Sequence, residues 1–168
     1  MAYPVTLHNL AAILRHRLET NPYHLLLTST ISLTDQVVTS LTGSADRQAL
    51  DQLLVSMGIN DRYLLLKNYL SSNVTARGYQ SLAKLIKAGY FRTILTANMD
   101  SVLEDNLTKL GLKSDDYQVL ILERDRDEHI AEALEQPSTR VQIVKLRGDL
   151  NSRVLPPSVS GFFQFSYL

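Results

Sequence analysis

Hydrophobic residues recur along this chain with two different spacings, and the alternation of these spacings predicts its elements. Leucine and isoleucine repeat every three or four positions across residues 7–18, which is the spacing of one face of an amphipathic helix. Pro22 marks the end of this helix. Apolar residues then crowd together at 23–29, which predicts a short strand that is covered on both faces.

A long helical segment is predicted between the first strand and the second. Apolar residues keep the helical spacing across residues 34–89, and the second strand is predicted at 91–97. Three glycines are predicted to end helices because glycine readily adopts the left-handed conformation found there. They are Gly58, Gly89 and Gly111.

Strands and helices continue to alternate in the second half of the chain. Further strands are predicted at 117–123 and 140–146, with a helix before each. The first of these helices begins with Ser101 and Glu104, which have the spacing of a capping box. Joining parallel strands requires crossovers, so we expect an α/β fold. The predicted architecture is a Rossmann-like parallel sheet flanked by helices, with a helical insert between the first two strands.

Composition limits the kinds of partner and chemistry. The 168 residues are 45% hydrophobic, which suits one domain over 1–168. Seventeen basic and seventeen acidic residues cancel, so we expect no nucleic-acid partner. The chain has no cysteine, and its four histidines lack ligand spacing, so we expect no metal. No apolar run approaches the roughly 20 residues of a membrane span, so we expect no membrane partner and a cytoplasmic location.

Polar residues follow three of the predicted strands, at the point where each strand ends. Parallel sheets bind ligands at the carboxyl ends of their strands, so we expect these side chains to gather along one edge. After the first strand they are Thr28, Ser29, Thr30 and Ser32; after the second, Thr96, Asn98 and Asp100; after the fourth, Arg147, Gly148 and Asp149.

The end of the second strand resembles the core motif of SIR2-like domains. In that family a helix leads into a strand that ends in Thr-Thr-Asn-Phe-Asp or Thr-Gln-Asn-Ile-Asp. Thr96, Asn98 and Asp100 match this motif, whereas Ala97 and Met99 depart from it.

The end of the fourth strand resembles a second motif of the same family, Lys-Leu-His-Gly-Asp. Lys145, Leu146, Gly148 and Asp149 match it, but Arg147 stands where the catalytic histidine is expected.

The stretch after the first strand departs further from the family. It occupies the place of a glycine-rich Gly-Ala-Gly-Ile-Ser loop but contains no glycine, and only Ile31 and Ser32 correspond.

The resemblance implies NAD as cofactor and either NAD-dependent deacylation or NAD hydrolysis. In the family, the asparagine and aspartate hold the ribose and a water, and the histidine is the general base. The four-cysteine zinc module of the deacylase branch cannot exist in a chain without cysteine. The likeness is therefore to zinc-free bacterial NAD-consuming or signalling members, which are often fused to other domains in antiphage defence. The chain is then either a complete SIR2-like domain or part of a longer multidomain protein.

Two departures from the family predict an impaired NAD site. Threonine and serine place Cβ atoms where glycine would let a pyrophosphate approach the backbone. A guanidinium at Arg147 does not titrate near neutral pH and cannot act as a general base. We therefore predict a pseudoenzyme that serves as a nucleotide-sensing or protein-interaction module in bacterial signalling or antiphage defence. The alternative is an active NAD glycohydrolase that uses Asn98 and Asp100, and a third interpretation is an unrelated nucleotide-handling α/β domain.

Each candidate residue also has a purely structural interpretation. Asn98 could bond backbone groups at a strand end, and Asp100 competes with Ser101 as the N-cap of the next helix. Residues 28–30 would be ordinary strand-edge residues, and Arg147 a solvated or salt-bridged arginine.

Large apolar side chains are concentrated at the end of the chain. Burial of each would gain about 1.5–3 kcal/mol, so we expect them to be covered by an edge-strand arrangement, another domain or a second copy of the chain. These residues are Phe162, Phe163, Phe165 and Tyr167.

Overall fold

The structure is a computed structural model that describes residues 25–28, 43, 47–70, 77–122 and 124–155. Its elements in chain order are β1 (Leu25–Thr28), α1 (Arg47–Ser56), α2 (Ile59–Leu70), α3 (Arg77–Lys87), β2 (Thr93–Thr96), α4 (Val102–Lys109), β3 (Tyr117–Ile121), α5 (Asp127–Glu135) and β4 (Val141–Lys145). The helix predicted over 7–18 lies outside the described residues. Within them, no helix is both long and apolar enough to cross a membrane.

The described strands form one parallel sheet in the order β1-β2-β4-β3. In the register, Thr28 lies beside Thr96, Thr96 beside Lys145, and Lys145 beside Ile121. The carboxyl ends of all four strands therefore lie at the same edge of the sheet. Helices α1–α3 lie in the sequence between β1 and β2, so the predicted α/β fold with its helical insert is confirmed.

Helices cover both faces of the sheet. The connection from β3 to β4 runs across the sheet in the opposite direction to the two earlier connections. Because parallel crossovers are right-handed, this reversal places α5 on the face opposite α3 and α4. One core cluster contains Ile86 of α3, Leu107 of α4 and Ile143 of β4, and another contains Leu134 of α5 with Val144 of β4.

Side chains of β4 alternate between these two clusters. Ile143 packs with α3 and α4, whereas Val144 packs with α5. Successive side chains on a strand point to opposite faces, so Lys145 points to the same face as Ile143. The buried ammonium of Lys145 therefore points toward the beginning of α4.

Two of the three predicted helix-ending glycines have that role. Gly89 and Gly111 have φ of 91° and 86°, and the N–H of the following residue reaches back to the helix in both cases, from Tyr90 to Leu85 O at 3.1 Å and from Leu112 to Leu107 O at 3.1 Å. This is the bonding of a Schellman motif.

The prediction for Gly58 was wrong. Helix α1 ends at Ser56, and the carbonyl of Gly58 accepts the N–H of Arg62 at 3.0 Å. Gly58 therefore occupies the N-cap position immediately before α2, which does not require the left-handed backbone.

Candidate functional site

The candidate site lies on two loops at the carboxyl edge of the sheet, which we call the β2 loop (residues 97–101) and the β4 loop (residues 146–154). The register of β1, β2 and β4 brings the backbones of Thr28, Thr96 and Lys145 side by side, as predicted. Three other predicted residues, Ser29, Thr30 and Ser32, lie outside the described residues.

Asn98 on the β2 loop is buried and bonded within the protein. Its Nδ2 donates a hydrogen bond to the hydroxyl of Tyr79 on α3 at 2.5 Å. Its backbone N–H donates to Oγ1 of Thr96 at 3.1 Å. Tyr79 is not among the predicted site residues, although the hydroxyl of a tyrosine on an amphipathic helix usually finds a partner when it is buried.

Asp100 caps helix α4. Its Oδ1 accepts the N–H of Val102 at 3.0 Å, whereas Ser101 makes no capping bond with its side chain. The predicted capping box of Ser101 and Glu104 was therefore wrong. Ser101 occupies the N-cap position, but of the two competing side chains it is Asp100 that makes a capping bond, from one residue further upstream.

Glu104 instead contacts Lys145, which explains why the capping box does not form. The two side chains meet with Oε1 2.6 Å from Nζ. A charge-assisted bond to a buried ammonium is roughly twice as strong as a neutral hydrogen bond. Glu104 therefore turns toward β4 rather than toward the first turn of its own helix.

Lys145 is the centre of a buried charge cluster that sequence reasoning missed. Its side chain is only 1% exposed, and Nζ contacts three oxygens: Oε1 of Glu104, Oδ1 of Asp149, and the backbone O of Asp100 at 2.8 Å. An ammonium has three N–H donors, so the three contacts satisfy it. We call these four residues the Lys145 cluster. A lysine at the end of a strand buried on both faces was the available signal, because such a charge requires partners.

The two carboxylates that contact Lys145, those of Glu104 and Asp149, have pKa values shifted in opposite directions. Burial raises the pKa of Glu104 even though Lys145 attracts its charge. Burial acts the same way on Asp149, but hydrogen bonds from Lys145 and Ser152 outweigh it and lower the pKa of Asp149. Burial also opposes the charge of Lys145, yet the attraction of Glu104 and the bonds to both carboxylates raise its pKa. Asp149 is therefore the firm ion-pair partner, and Glu104 is the carboxylate that binds a proton more readily.

Arg147 and Gly148 occupy the start of the β4 loop. Arg147 is half-buried, and burial lowers its pKa. Gly148 has a φ of 90°, and a Cβ there would lie 2.2 Å from the backbone O of Val154. The backbones of Asp149 and Val154 bond to each other at 2.8 and 3.0 Å. This tight turn explains why the chain needs glycine at position 148.

Helix α2 of the insert packs onto both loops. Tyr63 and Leu66 of α2 cluster with Met99 of the β2 loop and with Leu150 and Leu155. In addition, the N–H of Leu150 donates to the carbonyl of Met99 at 2.9 Å, which joins the two loops directly. The two loops are therefore held together by packing against α2 and by a backbone hydrogen bond between them.

The start of α4 is an unfavourable place for a phosphate. Helix N-termini attract anions, but Asp100, Glu104 and Asp105 already surround this one. Within the described ranges, no group of three or more histidine, aspartate or glutamate side chains is arranged to hold a metal ion. The two motifs place two basic residues at this edge, Lys145, whose three contacts lie within the protein, and Arg147.

Comparison of the chain with protein-family models, with curated proteins and with solved structures gave no match. The resemblance to SIR2-like domains therefore stays a prediction based on the motifs at 96–100 and 145–149. The fold itself is an α/β parallel sheet with two fastened loops at its carboxyl edge.

Proposed function

We propose that this chain is a SIR2-like module with a degenerate NAD site, which binds a nucleotide at its carboxyl edge without hydrolysing NAD. The loss of hydrolysis is inferred from the bond between Oδ1 of Asp100 and the N–H of Val102, and the binding of a nucleotide from the half-buried Arg147 at the same edge of the sheet. Such a module would serve as a nucleotide sensor or interaction module in bacterial signalling or antiphage defence, in the cytoplasm.

The bonding of the motif residues argues against hydrolysis. Oδ1 of Asp100 already accepts the N–H of Val102, and Nδ2 of Asn98 already donates to the hydroxyl of Tyr79. Proton abstraction from water needs a group that titrates near neutral pH and can reach the water. Arg147 does not provide one.

Arg147 is the residue that we propose binds the ligand. Burial lowers the pKa of Arg147, and an anionic oxygen beside the guanidinium would favour its charged form. A guanidinium suits a phosphate because its planar fork donates two parallel bonds. The acidic start of α4 opposes a second phosphate, so we expect weak binding of a dinucleotide.

Calorimetric titration with NAD and with ADP-ribose tests this proposal. We expect Arg147→Ala to weaken binding about tenfold or more, because a charge-assisted bond contributes about 1.5–3 kcal/mol. The matched control is Arg92→Ala, since Arg92 is exposed and immediately precedes β2, at the opposite edge of the sheet. Equal affinity of the Arg147→Ala variant and the wild type, or no binding by the wild type, would contradict the proposal.

The second candidate function is an active NAD glycohydrolase that uses Asn98 and Asp100. The observation that favours it is that burial raises the pKa of Glu104, which lies one helical turn beyond Asp100. Enzymes often raise carboxyl pKa values in this way for proton transfer. Nicotinamide release from NAD decides between the two. Steady release by the wild type that is lost in both Asn98→Ala and Glu104→Gln would establish the enzyme and exclude the first proposal.

We also propose that the aromatic tail contacts a further domain or a second copy of the chain. Phe162, Phe163, Phe165 and Tyr167 lie outside the described residues, and the support is their composition alone. The mass in solution of the wild type and of a variant with serine at these four positions would test it, and equal masses together with unchanged solubility would contradict it.

A further inference from the structure

We propose that Lys145 is a positioning residue, which fastens the β2 loop to the β4 loop and so sets the placement of Asn98 and Asp100 relative to Arg147 and Gly148. The inference rests on the proposed function in one respect, because these two loops form the proposed nucleotide site. The fastening itself is a property of the unliganded chain and can be measured without any ligand.

The three acceptors around Lys145 belong to three different segments. Asp100, through its backbone O at 2.8 Å, belongs to the β2 loop. Glu104, at 2.6 Å, belongs to α4. Asp149 belongs to the β4 loop. One ammonium therefore connects the end of β4 to both loops and to the helix between them.

Asp149 passes this connection on to the rest of the β4 loop. Its Oδ1 contacts Lys145, while its Oδ2 accepts both the N–H and the hydroxyl of Ser152, each at 2.7 Å. Its backbone pairs with Val154 in the tight turn that requires Gly148. One oxygen of this carboxylate thus connects the β4 loop to the sheet, and the other connects two parts of the loop to each other.

A stability role alone does not explain the Lys145 cluster. Buried ion pairs can often be replaced by neutral residues of similar size without loss of stability, because desolvation offsets the attraction between the charges. Two carboxylates for one ammonium make the cluster still less favourable as a source of stability. What the cluster supplies that neutral side chains cannot is a set of directed, charge-assisted bonds to two loops at once, which is how binding sites are held in place.

The test replaces the whole charge set, so that no single charge is left buried. The triple variant combines Lys145→Met, Glu104→Gln and Asp149→Asn. The matched control combines the same three kinds of change at the exposed residues Lys109→Met, Glu132→Gln and Asp115→Asn. Both variants are compared with the wild type by thermal unfolding and by hydrogen exchange of backbone amides.

We expect the triple variant to fold and its amides at 97–101 and 146–154 to exchange about tenfold faster than in the wild type, because local opening of the loops no longer breaks charged bonds. Amides inside β2 and β4, and all amides of the control variant, should exchange at the wild-type rate. Wild-type exchange in both loops of a folded triple variant would overturn the inference.

A single variant covers the case in which the triple variant does not fold. Asp149→Asn keeps Lys145 and Glu104, so we expect faster exchange at 146–154 but not at 97–101. Unchanged exchange at 146–154, or equal acceleration of both loops and the sheet, would overturn the inference. Failure of the wild type to bind NAD or ADP-ribose would remove the proposed function but leave these exchange results, and hence the positioning role, as they are.

Discussion

The side-chain Nδ2 of Asn98 lies 2.5 Å from the hydroxyl oxygen of Tyr79. Asn98, which matches the asparagine of the SIR2-like motif, is therefore bonded to helix α3 of its own chain. Asn98 is 8% exposed, and this bond links the β2 loop to α3. The same amide could not make this bond and also turn fully toward a ligand.

This contact predicts a measurable cost for removing the tyrosine hydroxyl. Tyr79→Phe should lower the free energy of unfolding by about 1 kcal/mol, the usual net contribution of one hydrogen bond. Urea denaturation gives the value, and Tyr90→Phe is the matched control, because Tyr90 is 62% exposed.

A double-mutant cycle with Asn98→Ala isolates the pair. We expect a coupling energy of about 1 kcal/mol between the two positions, because the side chains are in direct contact. A coupling energy near zero would show that the bond does not contribute, and the structural interpretation of Asn98 would lose its main support.

The cap of α4 leads to a second prediction. Asp100→Ala should destabilise the protein by about 1 kcal/mol, because the N–H of Val102 loses its acceptor. Ser101→Ala should change the free energy of unfolding by less than about 0.5 kcal/mol, since this side chain does not cap the helix.

Asp100→Asn is the conservative control for this comparison. It keeps an oxygen acceptor for the N–H of Val102 and should recover most of the stability, because the amide oxygen of asparagine bonds nearby backbone N–H groups in the same way. The opposite order, with a larger loss for Ser101→Ala than for Asp100→Ala, would restore the capping box that the sequence predicts.

Strands β2 and β4 could be predicted from the sequence because they are buried on both faces, which leaves a compact apolar run, and β3 because it is also rich in apolar residues. The predicted segments 91–97, 117–123 and 140–146 each contain the observed strand, Thr93–Thr96, Tyr117–Ile121 and Val141–Lys145. The strand ends differ by at most two residues, as is usual for element boundaries.

The Lys145 cluster could not be predicted, because its members are brought together only by the fold. Local spacing assigns Glu104 to a capping box, a contact with a residue three positions away. The residue that it meets is Lys145, which the sheet places beside Thr96. Patterns within one turn of a helix contain no information about such a partner.

Gly148 gives the third prediction. A Cβ at this position would lie 2.2 Å from the O of Val154, and the φ of 90° is itself unfavourable for an L residue. Gly148→Ala should therefore destabilise the protein by at least about 2 kcal/mol, the sum expected from backbone strain and overpacking.

Gly78→Ala is the matched control for Gly148→Ala, and its expected effect has the opposite sign. Gly78 is an exposed residue of α3, and nothing lies within 4 Å of an added Cβ. Alanine should stabilise the helix by up to about 1 kcal/mol. Equal effects of the two substitutions in thermal unfolding would contradict the tight turn of the β4 loop.

The two carboxylates of the Lys145 cluster give the last prediction, because their pKa values move in opposite directions from the ordinary ones. The native pKa of Glu104 is raised from 4.5, so the native state holds this proton longer than the unfolded state does. Ionisation of Glu104 therefore lowers the free energy of unfolding as the pH rises above 4.5. The native pKa of Asp149 is lowered from 3.8, so its contribution to stability is present above 3.8 and is lost as pH falls below that value.

Urea denaturation of the wild type, Glu104→Gln and Asp149→Asn between about pH 3 and pH 7 separates these contributions, with a limiting slope of about 1.4 kcal/mol per pH unit for one proton. We expect the stability of the wild type relative to Glu104→Gln to fall as pH rises from 4.5. Relative to Asp149→Asn, it should fall as pH drops below 3.8. Parallel curves for the two variants would mean that the carboxylates are equivalent, and Asp149 would then no longer be the firm ion-pair partner of Lys145.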